Sequence, residues 1–205
     1  MTDPVSILNF WLEGVTDATL INKGAMPFRK WFSKNEEFDQ EIRERFGSDL
    51  AAAREGQYRS WKNSAQGCLA LIILFDQFPR NMFRNSPRMF ENDPAALALT
   101  LKAIYDDGWD TQLSLIERTF LYMPLMHSED LKVQKMSLEY FGKLISEAKE
   151  RFPQNISYYE YSFNFAKRHH GIIEKFGRFP HRNAVLGRAS IPAETEFLVK
   201  PGSSF

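Results

Sequence analysis

The chain has 205 residues, 26 basic and 26 acidic side chains, and a formal net charge of zero. That length fits a single domain over residues 1–205, and a 43% hydrophobic fraction with 18 Phe, 7 Tyr and 4 Trp excludes a disordered chain. The charge balance argues against nucleic acid or an anionic membrane as a partner, since either calls for an excess of Lys and Arg.

Helix punctuation recurs along the chain. Asp3 and Pro4 form a cap and first-turn pair ahead of an apolar stripe of Ile7, Leu8, Trp11 and Leu12. Asn35 is placed to cap a helix carrying Phe38, Ile42 and Phe46, with Gly47 as its expected stop. Ser64 is placed to cap a helix through Cys68–Phe75 that Pro79 is expected to end. That apolar run has eight residues. A membrane span needs about 20, so the run reads as a buried core helix. Asp93 and Pro94 repeat the cap-plus-proline signature before Leu97, Leu101, Ile104 and Tyr105, and Gly108 follows as a stop.

Thr111 is expected to open the next helix, with Leu115, Ile116, Phe120 and Met123 on its apolar face. Ser128 is expected to open a long one, with Leu131, Leu138, Phe141, Ile145 and Ala148 aligned. Tyr158, Tyr161, Phe165, His169, Ile172 and Phe176 step by three and four residues, a helical face. The stretch from Gly177 to Ile191 is too rich in Arg, Gly and Asn for a helix. No segment alternates polar and apolar residues in the manner of a strand. The expected fold class is therefore all-α, with stacked antiparallel helix hairpins joined by short connections.

The single Cys68 excludes an internal disulfide framework. The N-terminus carries Asp3 and Glu13 and no basic run, so no secretory leader is visible. A soluble, cytoplasmic protein is the expectation.

Two segments resemble each other. Asp76-Gln77-Phe78-Pro79-Arg80-Asn81-Met82-Phe83-Arg84 and Arg178-Phe179-Pro180-His181-Arg182-Asn183-Ala184-Val185-Leu186-Gly187-Arg188 each follow an apolar helix and contain Phe-Pro, then Arg-Asn, then a further Arg. They read either as helix-ending turns with solvated arginines or as a shared anion site. Arginine forks suit bidentate contact with carboxylates or phosphates. Asp76 lies on the face of Leu69, Ile72 and Ile73, so it points inward near a helix C-terminus, where the helix dipole disfavours an anion. It needs a cationic partner, for which Arg80, Arg178 and Arg182 are candidates, or a raised pKa, and a buried Asp–Arg staple with no catalytic role is the alternative to a ligand-facing one.

His127 precedes the acids Glu129 and Asp130 and need not face solvent. His169 sits on an apolar stripe, where a core role is the default. His170 is rotated off that stripe and reads as the better site candidate. The candidate catalytic residues are thus Asp76, His127 and His170, and the candidate ligand-binding residues are Arg80, Arg178, His181, Arg182 and Asn183. Their chemistry suits a small anionic ligand, a carboxylate or a phosphate ester. A peptide or protein partner in a concave helical groove is the alternative. No HExxH or paired-Cys spacing supports a metal among His127, Glu129, Asp130, His170 and His181, no P-loop or GxSxG elbow occurs, and no cofactor is expected.

Three long motifs carry a family resemblance. They are Leu71-Ile72-Ile73-Leu74-Phe75-Asp76-Gln77-Phe78-Pro79-Arg80-Asn81, then Tyr122-Met123-Pro124-Leu125-Met126-His127-Ser128-Glu129-Asp130, then Phe176-Gly177-Arg178-Phe179-Pro180-His181-Arg182-Asn183. Together with Trp31-Phe32 and Glu194-Thr195-Glu196-Phe197-Leu198, they resemble the bacterial family known as domain of unknown function 924. The resemblance implies an all-helical, tetratricopeptide-like superhelix and no particular activity. The family often has Thr where this chain has Ile191.

Overall fold

The computed structural model describes residues 2–22, 24 and 26–204. Helices α1 (Pro4–Leu12), α2 (Met26–Phe32) and α3 (Glu36–Arg54) lead into α4 (Ala65–Ile72). The chain continues without a break through a π-helical turn, Ile73–Gln77, into α5 (Phe78–Met82). Then follow α6 (Asp93–Tyr105), α7 (Leu115–His127), α8 (Leu131–Arg151), α9 (Ile156–Phe176) and a short α10 (Pro192–Leu198). Among the described residues there is no β-strand, and no helix is long and apolar enough to cross a membrane.

Several helix ends fall where the sequence puts them. The Asp3 carboxylate accepts from the Ser6 N–H at 2.8 Å, and Asn35 accepts from Glu37 and Phe38. The differences have local causes. Gly47 does not stop α3, because its backbone stays helical and buried Leu50 and Ala53 continue the apolar face beyond it. Ser114, not Thr111, caps α7, through a reciprocal bond with Glu117 three residues on. Asp130, not Ser128, caps α8, accepting from Lys132 and Val133. Asp93 is the first residue of α6 rather than its cap, and its carboxylate turns to two arginines described below.

Pro79 does not end its helix. The Phe78 N–H reaches back to the Ile73 carbonyl, a bond spanning five residues. This widened turn takes the proline at the second position of α5, where a missing N–H leaves no intrahelical bond unmade.

Helix α4 lies at the centre, packed against α1, α6 and α7. Cys68 through Leu74 are all buried, as a helix apolar on every side must be. The Gly67 backbone touches the preceding turn so closely that a Cβ would stand 2.2 Å from the Trp61 carbonyl oxygen. Aromatic rings from α1, α5 and α7 interlock beside it: Trp11 meets Phe78 and Phe120 edge-on, with centroids 5.7 Å away in each case. Helices α7, α8 and α9 pack successively through short connections, which makes neighbours antiparallel. Buried Asn155 ties in the early loop, accepting from Ile21 N–H and donating to the Asp17 and Thr19 carbonyls, while the Asp17 carboxylate accepts from the first two N–H groups of α7.

Residues 177–191 form no α-helix. This segment crosses the end of α7 and seals it with Phe179, fully buried against His169. The two Phe-Pro segments are thereby brought to the same place.

Candidate functional site

The π turn sets Asp76 facing inward with no exposed surface. One carboxylate oxygen stands 2.7 Å from Nδ1 of His127 and 3.2 Å from Nη1 of Arg80; the other accepts from the Gln77 side-chain amide. Burial pushes the Asp76 pKa up, but Arg80 and His127 more than offset it and hold the group at about 2. Asp76 is an anion throughout the physiological range.

Arg80, one turn along, donates to the Asp76 backbone carbonyl at 2.7 Å and bidentately to Asp93 at 2.8 and 2.9 Å. Arg182 comes from the second Phe-Pro segment. It approaches the same Asp93 carboxylate at 3.3 Å and donates to the His127 backbone carbonyl at 3.0 Å. Its guanidinium lies against the rings of Phe90 and Phe179, 4.4 and 4.5 Å from their centroids. Among the described residues nothing else accepts from it, and its Nε is buried without a partner. Burial, then the neighbouring Arg80 cation, pull the Arg182 pKa down to about 10. The group stays charged, but under-neutralised.

His127 is the last residue of α7, and its side chain is 14% exposed. Burial and then Arg80 lower its pKa, with Asp76 acting in the opposite sense. A neutral ring with Nδ1–H donating to Asp76 carries its lone pair on Nε2. His169, from α9, lies 6.0 Å away between ring centroids, and its Nδ1 bonds to the Phe165 carbonyl at 2.9 Å. Burial and then His127 push the His169 pKa well below the usual imidazole value. Burial and then Arg182 bring His181 down to about 4.

These groups open on a cavity of about 420 Å³. Its polar wall includes Gln77, Arg80, Arg84, His127, Arg168, His169, His181 and Arg182, and its apolar wall includes Trp31, Phe32, Met89, Met123, Met126 and Phe165. Arg84 and Asn81, also on the wall, both bond to the Asp39 carboxylate. A larger groove of about 880 Å³ runs along α1, α2 and α3, but it holds none of the candidate catalytic or ligand-binding residues. Among the described residues, no cluster of three or more His, Cys, Asp or Glu could hold a metal ion.

Five candidate residues thus meet: Asp76, Arg80, His127, His181 and Arg182. Arg178 and Asn183 do not line the cavity. Arg178 is held bidentately by buried Glu194 at 2.6 and 2.7 Å, and Asn183 donates to Glu194 and Ser190. Arg188 links Asn183 to Glu129, whose carboxylate also accepts the Phe179 N–H at 2.7 Å. Arg178, Asn183 and Arg188 are all held by protein acceptors, so this second network fastens the 177–198 segment to the helix ends.

His170 is off the cavity wall, and the histidine that reaches it is its neighbour. His169 escapes the sequence reading because the apolar stripe of α9 runs straight into the cavity. Asp93 escapes it because the Asp-Pro pair reads as a helix cap. Its one available signal is that the two Arg-bearing turns together need more carboxylate than Asp76 supplies.

Fold and site together define an all-helical protein whose two Phe-Pro turns enclose a buried Asp–His–Arg cluster beside a cavity. Residues 7–202 match the family described as bacterial protein of unknown function (DUF924), and the chain belongs to that family. The solved structure of ATU0120, a protein of unknown function from Agrobacterium tumefaciens, is similar at 33% sequence identity over 96% of each chain, with a TM-score of 0.76. A search of curated proteins finds no match.

Proposed function

We propose that the cavity binds a small anionic molecule through Arg182, a carboxylate in preference to a phosphate. One observation supports this reading above the others. Arg182 is a buried cation whose only carboxylate contact among the described residues is a 3.3 Å approach to Asp93, a group already held bidentately by Arg80. A buried guanidinium with unmet donors is costly, and an anion in the cavity would satisfy it with charge-assisted hydrogen bonds. The under-neutralised Arg182 guanidinium matches one negative charge, hence a carboxylate. The methionines and aromatic rings opposite suit an apolar body on that ligand. A volume of about 420 Å³ lies within the range of small-molecule pockets.

The test is thermal unfolding of the full chain against small carboxylates, inorganic phosphate and neutral isosteres. Carboxylates should raise the unfolding temperature saturably, since a ligand of the folded state alone stabilises it by mass action. Arg182→Met should abolish that rise. An equal rise with the neutral isosteres would defeat the reading.

A further inference from the structure

The Asp76–His127 pair has a chemical consequence beyond binding. His127 has Nδ1 committed to a buried carboxylate, while among the described residues no hydrogen-bond partner meets Nε2. The ring lies on the cavity wall. Its orientation is fixed twice, by Asp76 at the ring and by Arg182 at the backbone carbonyl. No serine, threonine or cysteine side chain hydrogen-bonds to it among the described residues. Ser162, on the cavity wall, donates to the Tyr158 carbonyl instead, and Cys68 is buried and bonds to the Leu99 carbonyl within the core. An oriented imidazole without a protein nucleophile is an arrangement for activating water.

We infer that His127, positioned by Asp76, is the general base for hydrolysis of an ester that carries a separate carboxylate, the carboxylate being held by Arg182. This rests on the anion-binding reading of the same cavity. In the step, Nε2 of His127 takes a proton from water as the water oxygen bonds to the acyl carbon. The carbonyl electron pair moves onto its oxygen, in a cavity walled by Arg80 and Arg182. The intermediate collapses, the bond from acyl carbon to alkoxy oxygen breaks, and the alkoxide takes the proton back from Nε2. The products are an alcohol and a second carboxylic acid, and nothing is oxidised or reduced. An ester fits better than an amide because an amine leaving group needs a stronger acid, and His169 and His181 are both held neutral by burial.

The experiment uses the full chain with two substrates, the p-nitrophenyl half-ester of glutaric acid and p-nitrophenyl butyrate, and with glutarate alone as a binding probe. The half-ester should be hydrolysed saturably, with kcat/KM at least roughly tenfold above the butyrate, since binding energy from the remote carboxylate goes toward orienting the acyl group. His127→Gln should lower kcat by about 10²–10⁴-fold, the usual range for a lost general base, while glutarate still raises its unfolding temperature.

The groups facing His127 are Asp76 and Arg80 from the chain around the π turn, Asp93 from α6, His169 from α9, and His181 and Arg182 from the C-terminal segment. With that set in place, kcat should be flat above pH about 6.5 and fall on acidification as His127 takes up a proton. This profile on the unmutated chain decides the matter where His127→Gln fails to fold: a rate that rises continuously through pH 9 overturns the base assignment. Glutarate binding without half-ester hydrolysis overturns the hydrolytic inference and leaves the pocket reading intact. Absence of both overturns both. Hydrolysis that survives in a folded His127→Gln protein also overturns it.

Discussion

Arg80 and Arg182, one from each Phe-Pro segment, donate to a single carboxylate, that of Asp93. The two resembling stretches of sequence are thus halves of one polar cluster, joined at the first residue of α6. Arg80 takes the better share, two bonds of 2.8 and 2.9 Å, and Arg182 the longer contact. The asymmetry divides their roles. Arg80 neutralises Asp76 and Asp93, whereas Arg182 keeps capacity for something else.

Asp76 should be a major determinant of stability. Asp76→Ala removes the carboxylate acceptor of both His127 and Gln77 and leaves Arg80 with Asp93 and the backbone carbonyl of residue 76. Breaking a buried charge pair by deleting one partner costs about 3–5 kcal/mol. Urea unfolding monitored by circular dichroism checks this, and a change of a few tenths of a kcal/mol would show that the buried carboxylate is not needed to hold the cluster.

Arg182 should behave in the opposite way. Arg182→Met replaces a buried, under-neutralised cation with an apolar chain of similar length, against the rings of Phe90 and Phe179. Replacing buried charge by packed apolar groups is often neutral or stabilising, so the unfolding free energy should fall by no more than about 1 kcal/mol. Asp93 retains Arg80. Carboxylate binding should disappear. A loss of several kcal/mol would mark Arg182 as a structural staple.

The all-helical architecture was legible because caps and apolar stripes are local signals. Asp3 and Asn35 announce their helices, and the faces of α8 and α9 follow a 3.6-residue period. What the sequence hid depends on non-local groups. Pro79 reads as a helix stop, yet the π turn absorbs it, and no local rule chooses between those outcomes. The site was legible where a residue type was anomalous in its setting: Asp76 on an apolar face, and Arg-Asn after Phe-Pro twice. Arg178 and Arg182 look equivalent in the sequence, but Glu194, on the last helix, takes Arg178 out of the site. That pairing depends on how the 177–198 segment folds back. His169 and His170 illustrate the same limit, since an apolar stripe does not reveal that its far end lines a cavity.

The second network predicts separable effects. Glu194→Ala removes the partner of Arg178, of the Asn183 amide and of the Ile191 N–H together. Hydrogen exchange over residues 177–198 should accelerate by at least roughly tenfold, as local opening becomes easier. Asp76, His127 and Asp93 lie outside this network, so exchange around residues 73–82 should be unchanged. Acceleration at both places would mean that the two networks act as one cooperative unit.

Gly67 should tolerate no side chain. A Cβ there would stand 2.2 Å from the Trp61 carbonyl oxygen, a backbone atom that cannot swing away. Relief requires α4 to move from the preceding turn, and α4 is the central helix. Gly67→Ala should cost about 1–3 kcal/mol, the range for overpacking, despite the better helix propensity of alanine. Thermal denaturation with unchanged helix content before the transition would register it, and a stabilised variant would contradict the close approach.

Acid should destabilise the protein in two stages. His127, His169 and His181 all have folded pKa values below their ordinary 6.5, with His181 at about 4, burial being the first cause in each. Below pH 6.5 the unfolded chain binds protons that the folded chain refuses. The stability owed to neutral histidines is therefore complete above pH 6.5 and is lost as pH falls from there toward about 4. For His181 alone, a drop from 6.5 to about 4 at about 1.4 kcal/mol per pH unit corresponds to roughly 3 kcal/mol. The carboxylates act in the next window. Asp76 and Glu194 both fall to about 2, so their contributions persist above their ordinary values near 4 and vanish as pH falls toward 2. Urea midpoints should decline steadily from pH 7 to pH 4 and then more steeply. His181→Gln should flatten the upper limb without altering the lower one, because it removes a group that titrates only there. A midpoint independent of pH between 7 and 4.5 would mean that these imidazoles take up protons in the folded protein as readily as in the unfolded chain, and the neutral His127 that the proposed hydrolysis requires would be lost with them.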